Sequence, residues 1–309
     1  MENRSRLHYF WVMLKGMAMG AADVVPGVSG GTIAFISGIY EELITSIDNI
    51  RPNLLRVWSS NGFGAFWKAL NGNFLLALFA GIVISVLSLS RLLSYLLAEH
   101  PVLLWAFFFG LVLASILYVA RQIDRWRLAV WVMLLAGIAL ATLVVSLPAA
   151  DPEFGLAYLF LCGALAICAM ILPGISGAFI LVLLGGYKTA LDAIHQRDLA
   201  VLLALGLGAV FGLLSFARLL KWMFVRFRNG TLALLTGFII GSLQKIWPWK
   251  QVLETRMFDD KAVVIREANV APWNFEGNPM LWQAVLLAIL GFALIFLLER
   301  VADRKNDTA

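Results

Sequence analysis

Val25-Pro26-Gly27-Val28-Ser29-Gly30 returns 147 residues later as Leu172-Pro173-Gly174-Ile175-Ser176-Gly177. The same offset carries Gly38 onto Gly185 and Tyr40 onto Tyr187. Farther along, an offset of 127 matches Gly81 with Gly208, Ser88 with Ser215 and Arg91-Leu92-Leu93 with Arg218-Leu219-Leu220. It also matches Gly110 with Gly237 and Ser115 with Ser242. The change of offset marks an insertion of 20 residues in the first copy, around residues 48–73, rich in Asn, Gly and Trp. Several matches kept in one order predict a duplicated unit, where a lone motif would predict little.

The setting of that unit follows from composition. Of 309 residues, 61% are apolar and 14% are charged. A soluble domain carries about 25% charge. The apolar residues gather in runs of about 20, the length that crosses a hydrocarbon core. The expected fold is an all-α integral membrane protein of two inverted repeats, each a re-entrant helical hairpin followed by three transmembrane helices. The first repeat, residues 1–148, holds a hairpin at 7–47 and spans near 74–97, 101–121 and 127–148. The second, residues 149–309, holds a hairpin at 156–190 and spans near 199–221, 230–247 and 281–301. Three spans per copy is an odd number, so the second copy enters from the opposite side. Inverted repeats with interrupted helices are a transporter signature.

A net charge of +5 and a pI near 9.4 can indicate nucleic acid. Here the basic residues sit in short connections, with no basic and aromatic stripe on one element, so nucleic acid is not expected as a partner. The charges instead report topology. With the N-terminus inside, Arg51, Arg56, Lys68, Arg121, Arg125, Arg127, Lys221, Arg226 and Arg228 share its side. The opposite side holds Lys188, Arg197, Lys245, Lys250, Arg256, Lys261 and Arg266, mostly in one long loop, and the connections at 98–101 and 148–156 hold no Lys or Arg. Both termini are therefore expected in the cytoplasm. Arg4 and Arg6 before an apolar stretch imitate a signal peptide, but Lys15 interrupts that stretch and the segment has a repeat partner, so it is read as structure. Cys162 and Cys168 stand six apart, about 9 Å on a helix, too far for a disulfide. His8, His100 and His195 are isolated, so no metal or other cofactor is expected.

The chemistry concentrates at the hairpin tips. Pro26 and Pro173 end the first arms, because the residue before proline avoids the helical region. Ser29 and Ser176 suit the N-cap of a second arm. Each tip should offer a helix N-terminus, a hydroxyl and backbone N–H groups, an arrangement that favours phosphate. The expected phosphate-binding set at the tips is Gly27, Ser29, Gly30, Gly31, Thr32, Gly174, Ser176 and Gly177. The plainer reading is a pair of turns between complete spans. Broken backbone at membrane depth is tolerated only against protein or a polar cavity.

Arg91 and Arg218 lie near the ends of matched apolar segments, which inversion assigns to opposite faces. They either snorkel to the interface or supply bidentate phosphate contacts to each leaflet. The carboxylates break the symmetry. Asp23 has Met170 as its counterpart, and Glu41 after Tyr40 corresponds to Lys188 after Tyr187. Carboxylates beside a broken helix are costly in lipid, so Asp23 and Glu41 are candidates for binding a coupling proton or sodium. Asp23 has the plainer alternative of pairing with Lys15 or with local N–H groups.

The run Gly20-Ala21-Ala22-Asp23-Val24-Val25-Pro26-Gly27-Val28-Ser29-Gly30-Gly31-Thr32 with Ile39-Tyr40-Glu41 resembles a bacterial family linked to undecaprenyl phosphate translocation. Leu172-Pro173-Gly174-Ile175-Ser176-Gly177 and Ser242-Leu243-Gln244-Lys245-Ile246-Trp247-Pro248-Trp249 extend the resemblance along nearly the whole chain. It implies a flippase of the bacterial inner membrane that returns undecaprenyl phosphate from the outer to the inner leaflet for peptidoglycan synthesis. An ion-coupled transporter of a small soluble anion would show the same tips. An intramembrane enzyme would use Gly27-Val28-Ser29-Gly30 as a nucleophile motif, but no His falls within an expected span to act as base, and a lipid-phosphate hydrolase would need an acid, His and Arg cluster that the tips lack. The expectation is therefore a transporter and not an enzyme. Small residues such as Gly206 and Gly208 permit tight helix contacts, leaving a homo-oligomer open.

Overall fold

The computed structural model describes the backbone of residues 5–24, 29–147, 155–258 and 261–306. The helices of the first half are α1 (Arg6–Val24), α2 (Gly30–Ile36), α3 (Tyr40–Asp48), α4 (Pro52–Ala69), α5 (Gly72–Glu99), α6 (Pro101–Arg121) and α7 (Leu128–Ser146). Those of the second are α8 (Leu156–Ile171), α9 (Gly177–Leu183), α10 (Gly186–Gln196), α11 (Leu199–Ser242) and α12 (Leu281–Asn306). The strands β1 (Lys250–Phe258) and β2 (Lys261–Asn269) lie between α11 and α12.

Four stretches among the described residues are long and apolar enough to cross a membrane: Gly72–Leu89, Pro101–Arg121, Leu128–Ser146 and Leu199–Ile246. The chain is a multi-pass membrane protein. Leucines such as Leu87 on α5 and Leu128 on α7 face outward, as a lipid-facing belt requires. At 44 residues α11 would run about 66 Å, twice a hydrocarbon core. It breaks at Phe227 (φ −139°, ψ 50°), between the segments expected at 199–221 and 230–247. Apart from that kink the Arg-rich connection there stays wound, because no proline or positive-φ glycine interrupts it.

The hairpins differ from simple two-armed loops. Each second arm, expected as one helix, is split: α2 from α3 at Gly38 (φ +72°), and α9 from α10 at Gly185 (φ +75°). A left-handed residue ends a helix, and glycine takes that conformation without a Cβ penalty. The pair α9 and α10 bends by 105°. At seven residues, α2 and α9 each rise only about 10 Å. Expected elements that rest on residues 25–28 and 148–154 lie outside the described residues.

The matched glycines are points of closest helix approach. A Cβ on Gly81 of α5 would strike the Met13 carbonyl of α1, and one on Gly208 of α11 the Phe160 carbonyl of α8. Met13 and Phe160 are themselves 147 residues apart. In the same way Gly110 of α6 abuts the Ala288 carbonyl of α12, and Gly237 of α11 abuts that of Leu134 in α7. The first pair of contacts lies within a half; the second crosses from one half to the other. Phe74, Leu78, Leu220, Leu232, Leu235 and Ile239 are fully buried and belong to one core cluster.

Two elements were absent from the sequence reading. The insertion forms α4, which opens with Pro52 at its first turn and leaves Leu55, Trp58 and Phe63 exposed. The long connection after α11 carries the antiparallel pair β1–β2, with Lys250 opposite Asn269 and Phe258 opposite Lys261. Its base is tied down by Trp247 Nε1 donating to Val270 O and Trp249 Nε1 to Pro279 O, both at 2.9 Å. Lys250 Nζ lies 3.9 Å from the centroid of the Trp105 ring on α6 and 3.3 Å from Glu267.

Candidate functional site

The two tips meet. Ser29 opens α2 in extended backbone (φ −118°, ψ 132°), and its Oγ accepts the Gly31 N–H at 3.1 Å, as an N-cap does. The same hydroxyl lies 3.3 Å from Met170 O and 3.4 Å from Leu172 O at the end of α8. Tyr40, at the start of α3, donates to Ile171 O at 3.1 Å. The first hairpin thus satisfies carbonyls that the end of α8 leaves without helical partners. In return the Gly174 N–H donates to Thr32 Oγ1 at 2.8 Å. Ser29, Thr32 and Tyr40 are each buried to within 2% of complete.

Shape explains the glycines. A Cβ on Gly31 would lie 2.6 Å from Ile171 O and 3.0 Å from Met170 O. Gly174 sits at φ +89°, with Ser242 and Phe238 closing over it. Gly177 opens α9 against the Ala166 carbonyl, where a Cβ would stand at 2.7 Å. Gly27 lies outside the described residues.

The donors of the first tip are engaged within the protein. The Gly30 N–H donates to Asp23 Oδ1 at 2.6 Å, the Gly31 N–H to Ser29 Oγ, and the Thr32 N–H to Ser29 O at 2.9 Å. Asp23 therefore supplies a carboxylate at the helix end expected to favour an anion. Among the described residues the second tip has no such guest: Ser176 holds the same backbone conformation (φ −93°, ψ 132°) but makes no side-chain cap bond and remains half-buried. Met170, the counterpart of Asp23, has no charge to offer.

The arginines sit elsewhere. Arg91 is exposed on α5, with no partner among the described residues. Arg218 on α11 is drawn to Asp48, its Nε 3.5 Å from Oδ1. Neither bonds to a tip residue. Glu41 is half exposed and pairs with Arg228 at 3.2 Å, away from the Asp23 carboxylate. Asp48, which no motif in the sequence marks, is buried and also meets Arg51 and Lys221. Only the Asp48–Arg51 spacing of three on an amphipathic helix was visible there; the partners on α11 are about 170 residues away.

A cavity of about 520 Å³ opens beside the first tip, between α1, α2, α5, α6 and α12. Ala21, Ile33, Leu104, Phe107, Phe108 and Leu294 are among its lining residues. His100 brings the one imidazole to this apolar lining, and its buried Nδ1 has no hydrogen-bond partner among the described residues.

The sequence is 45% identical over 303 residues to a polyprenyl-phosphate transporter of Vibrio cholerae serotype O1, covering 96% of this chain and 98% of that one. It is 33% identical over 258 residues to a polyprenyl-phosphate transporter of Staphylococcus aureus, covering 77% and 86%. No solved structure matches the chain. Residues 19–264, which include both tips, Asp48 and most of the strand pair, match the VCA0040-like family, described as undecaprenyl phosphate translocase-like, and the chain belongs to that family.

Proposed function

We propose that this protein is a transporter of polyprenyl phosphate, with undecaprenyl phosphate as its substrate, and that it returns the lipid from the outer to the inner leaflet of the bacterial cytoplasmic membrane for cell-envelope synthesis. Both relatives named above are polyprenyl-phosphate transporters. The observation that carries the reading is an apolar cavity lined by Ile33 of α2, the residue after Thr32 in the buried polar tip. A soluble anion needs a polar path, whereas a lipid needs an apolar lateral recess beside its headgroup site. The aliphatic and aromatic lining suits the first isoprene units, and the tips suit the phosphate.

In this reading the two halves are inverted repeats, as the paired glycine contacts support, and the hairpins are re-entrant. Both termini face the cytoplasm. The headgroup binds at the second tip through Ser176, Gly177 and neighbouring N–H groups, then gains the first tip when Asp23 releases Gly30. Asp23 acts as a built-in anion: its carboxylate holds the Gly30 N–H until a proton neutralises it or a phosphate replaces it. Rocking of one half against the other exposes the joined tips to each leaflet in turn. Arg91 and Arg218 attract the headgroup at opposite faces.

The test is purified protein in liposomes carrying undecaprenyl phosphate in the outer leaflet. Protein should speed its loss from that leaflet, and a Ser29→Ala, Ser176→Ala double variant should be slower by about tenfold or more. No acceleration over protein-free liposomes sinks the transport reading; a double variant at full rate sinks the role of the tips.

A further inference from the structure

Asp48 ends α3 with a side chain only 1% exposed, yet three cations converge on it. Arg51 Nη2 reaches its two oxygens at 2.6 and 2.8 Å, and Lys221 Nζ lies at 2.9 Å. Arg218 Nε completes the group at 3.5 Å. One cation would balance the carboxylate, so a simple tie between α3 and α11 needs no more. Three leave an excess of two positive charges. The carboxylate is shut away, while the side chains of Arg51, Lys221 and Arg218 remain 51%, 31% and 55% exposed. A guanidinium has five N–H donors and an ammonium three, so most of the donors in this group are left for another acceptor. The nearby acids are committed: Glu41 to Arg228, and Glu42 to Asn71 at 2.8 Å.

The cluster also borders the lipid-facing surface. Leu219 and Trp222, which flank Lys221 on α11, are exposed, and Trp222 packs edge-on against Phe227. An indole beside basic residues is typical of the headgroup level of a bilayer. The duplication does not repeat the arrangement. At the 147 and 127 offsets, Asp48 corresponds to His195, Arg51 to Asp198 and Lys221 to Ser94; only Arg218 keeps its cation, as Arg91.

We propose that Arg51, Arg218 and Lys221, held in position by Asp48, form a second anion site that takes a phosphate monoester at one membrane face, separate from the hairpin tips. The assignment of that phosphate to a polyprenyl headgroup rests on the transport reading above; the anion site itself does not. Asp48 positions the cations, and the bound phosphate accepts their outward N–H groups in charge-assisted bonds.

The experiment uses the full chain in detergent, with farnesyl phosphate and inorganic phosphate as probes. Farnesyl phosphate should protect Lys221 from amine acylation, read by mass spectrometry, by about fivefold or more, and absence of protection overturns the proposal without any variant being needed. Arg51→Gln and Lys221→Gln should each weaken its binding by about tenfold. Lys221→Arg should stay within about threefold, and Arg56→Gln on exposed α4 should leave binding unchanged. Unaltered binding in both Gln variants also overturns it. Equal protection by inorganic phosphate would support the anion site but assign it to a soluble ion and overturn the lipid source. Absence of protection with lipid movement intact in liposomes overturns this site alone; protection without lipid movement overturns the transport reading alone.

Discussion

The Gly174 N–H of the second tip donates to Thr32 Oγ1 of the first at 2.8 Å. A hydroxyl from one hairpin thereby closes the backbone of the other, inside a region from which water is excluded. Thr32→Val keeps the shape and removes the acceptor. The orphaned N–H should cost about 1–3 kcal/mol. Thr32→Ser should recover most of it. Thermal midpoints of the purified variants in one detergent check both, and equal midpoints for Thr32→Val and the parent protein would refute the claim.

Gly208 and Gly206 stand two residues apart on α11 and should respond in opposite ways. A Cβ at 208 meets the Phe160 carbonyl, whereas one at 206 meets nothing within 4 Å. Gly208→Ala should destabilise by about 1–3 kcal/mol through overpacking. Gly206→Ala should be neutral, or stabilising by up to about 1 kcal/mol from helix propensity. Gly81→Ala should resemble Gly208→Ala, because it meets the corresponding carbonyl of Met13. The same midpoint measurement decides it.

Asp23→Asn separates charge from geometry. An amide oxygen can still accept the Gly30 N–H that the carboxylate accepts at 2.6 Å. The variant should remain folded and move lipid in liposomes, but its rate should no longer respond to an imposed proton gradient. Asp23→Ala removes the acceptor as well and should slow transport about tenfold or more. A gradient response that survives in Asp23→Asn would assign coupling to another group.

Lys250 gives a pH signature outside the membrane-spanning segments. Burial beside Trp105 pushes its ammonium down, Glu267 pulls it partly back and Lys245 adds a smaller downward push, so that it lies at about 8. The folded value lies below the ordinary 10.5, so between about 8 and 10.5 the unfolded chain holds more protons. Stability should therefore rise with pH across that window, by up to about 3 kcal/mol, and be lost again as pH falls through 8. Lys250→Met should flatten the difference; midpoints from pH 7.5 to 10.5 for both proteins measure it.

Hydrophobic length made the long helices legible. The segment expected at 101–121 is α6 to the residue, since Pro101 starts it and the apolar run ends at Arg121. Gly81, Gly208, Gly110 and Gly237, matched at the 127 offset, are contact points, because close packing leaves no room for a Cβ there. What could not be read was direction. Nothing in Gly38 or Gly185 announces that the chain turns at a left-handed residue and does not continue. The apolar residues of α4 are scattered among Asn, Ser and Gly, so no helical period marks the insertion although it is helical. Strand alternation in β1 and β2 was hidden in a connection between apolar runs. At the site, the residue types of the tips were legible. Their partners were not, because bonds such as Ser29 to Met170 and Asp48 to Lys221 join positions more than 140 residues apart.

The crossed contacts, Gly110 on Ala288 and Gly237 on Leu134, carry a consequence for synthesis. Helix α6 has no neighbour on that face until α12 has been made, and α7 waits for the far end of α11. The amino-terminal half therefore enters the bilayer with two seams open. Its final shape is decided late, by helices that the ribosome has yet to deliver.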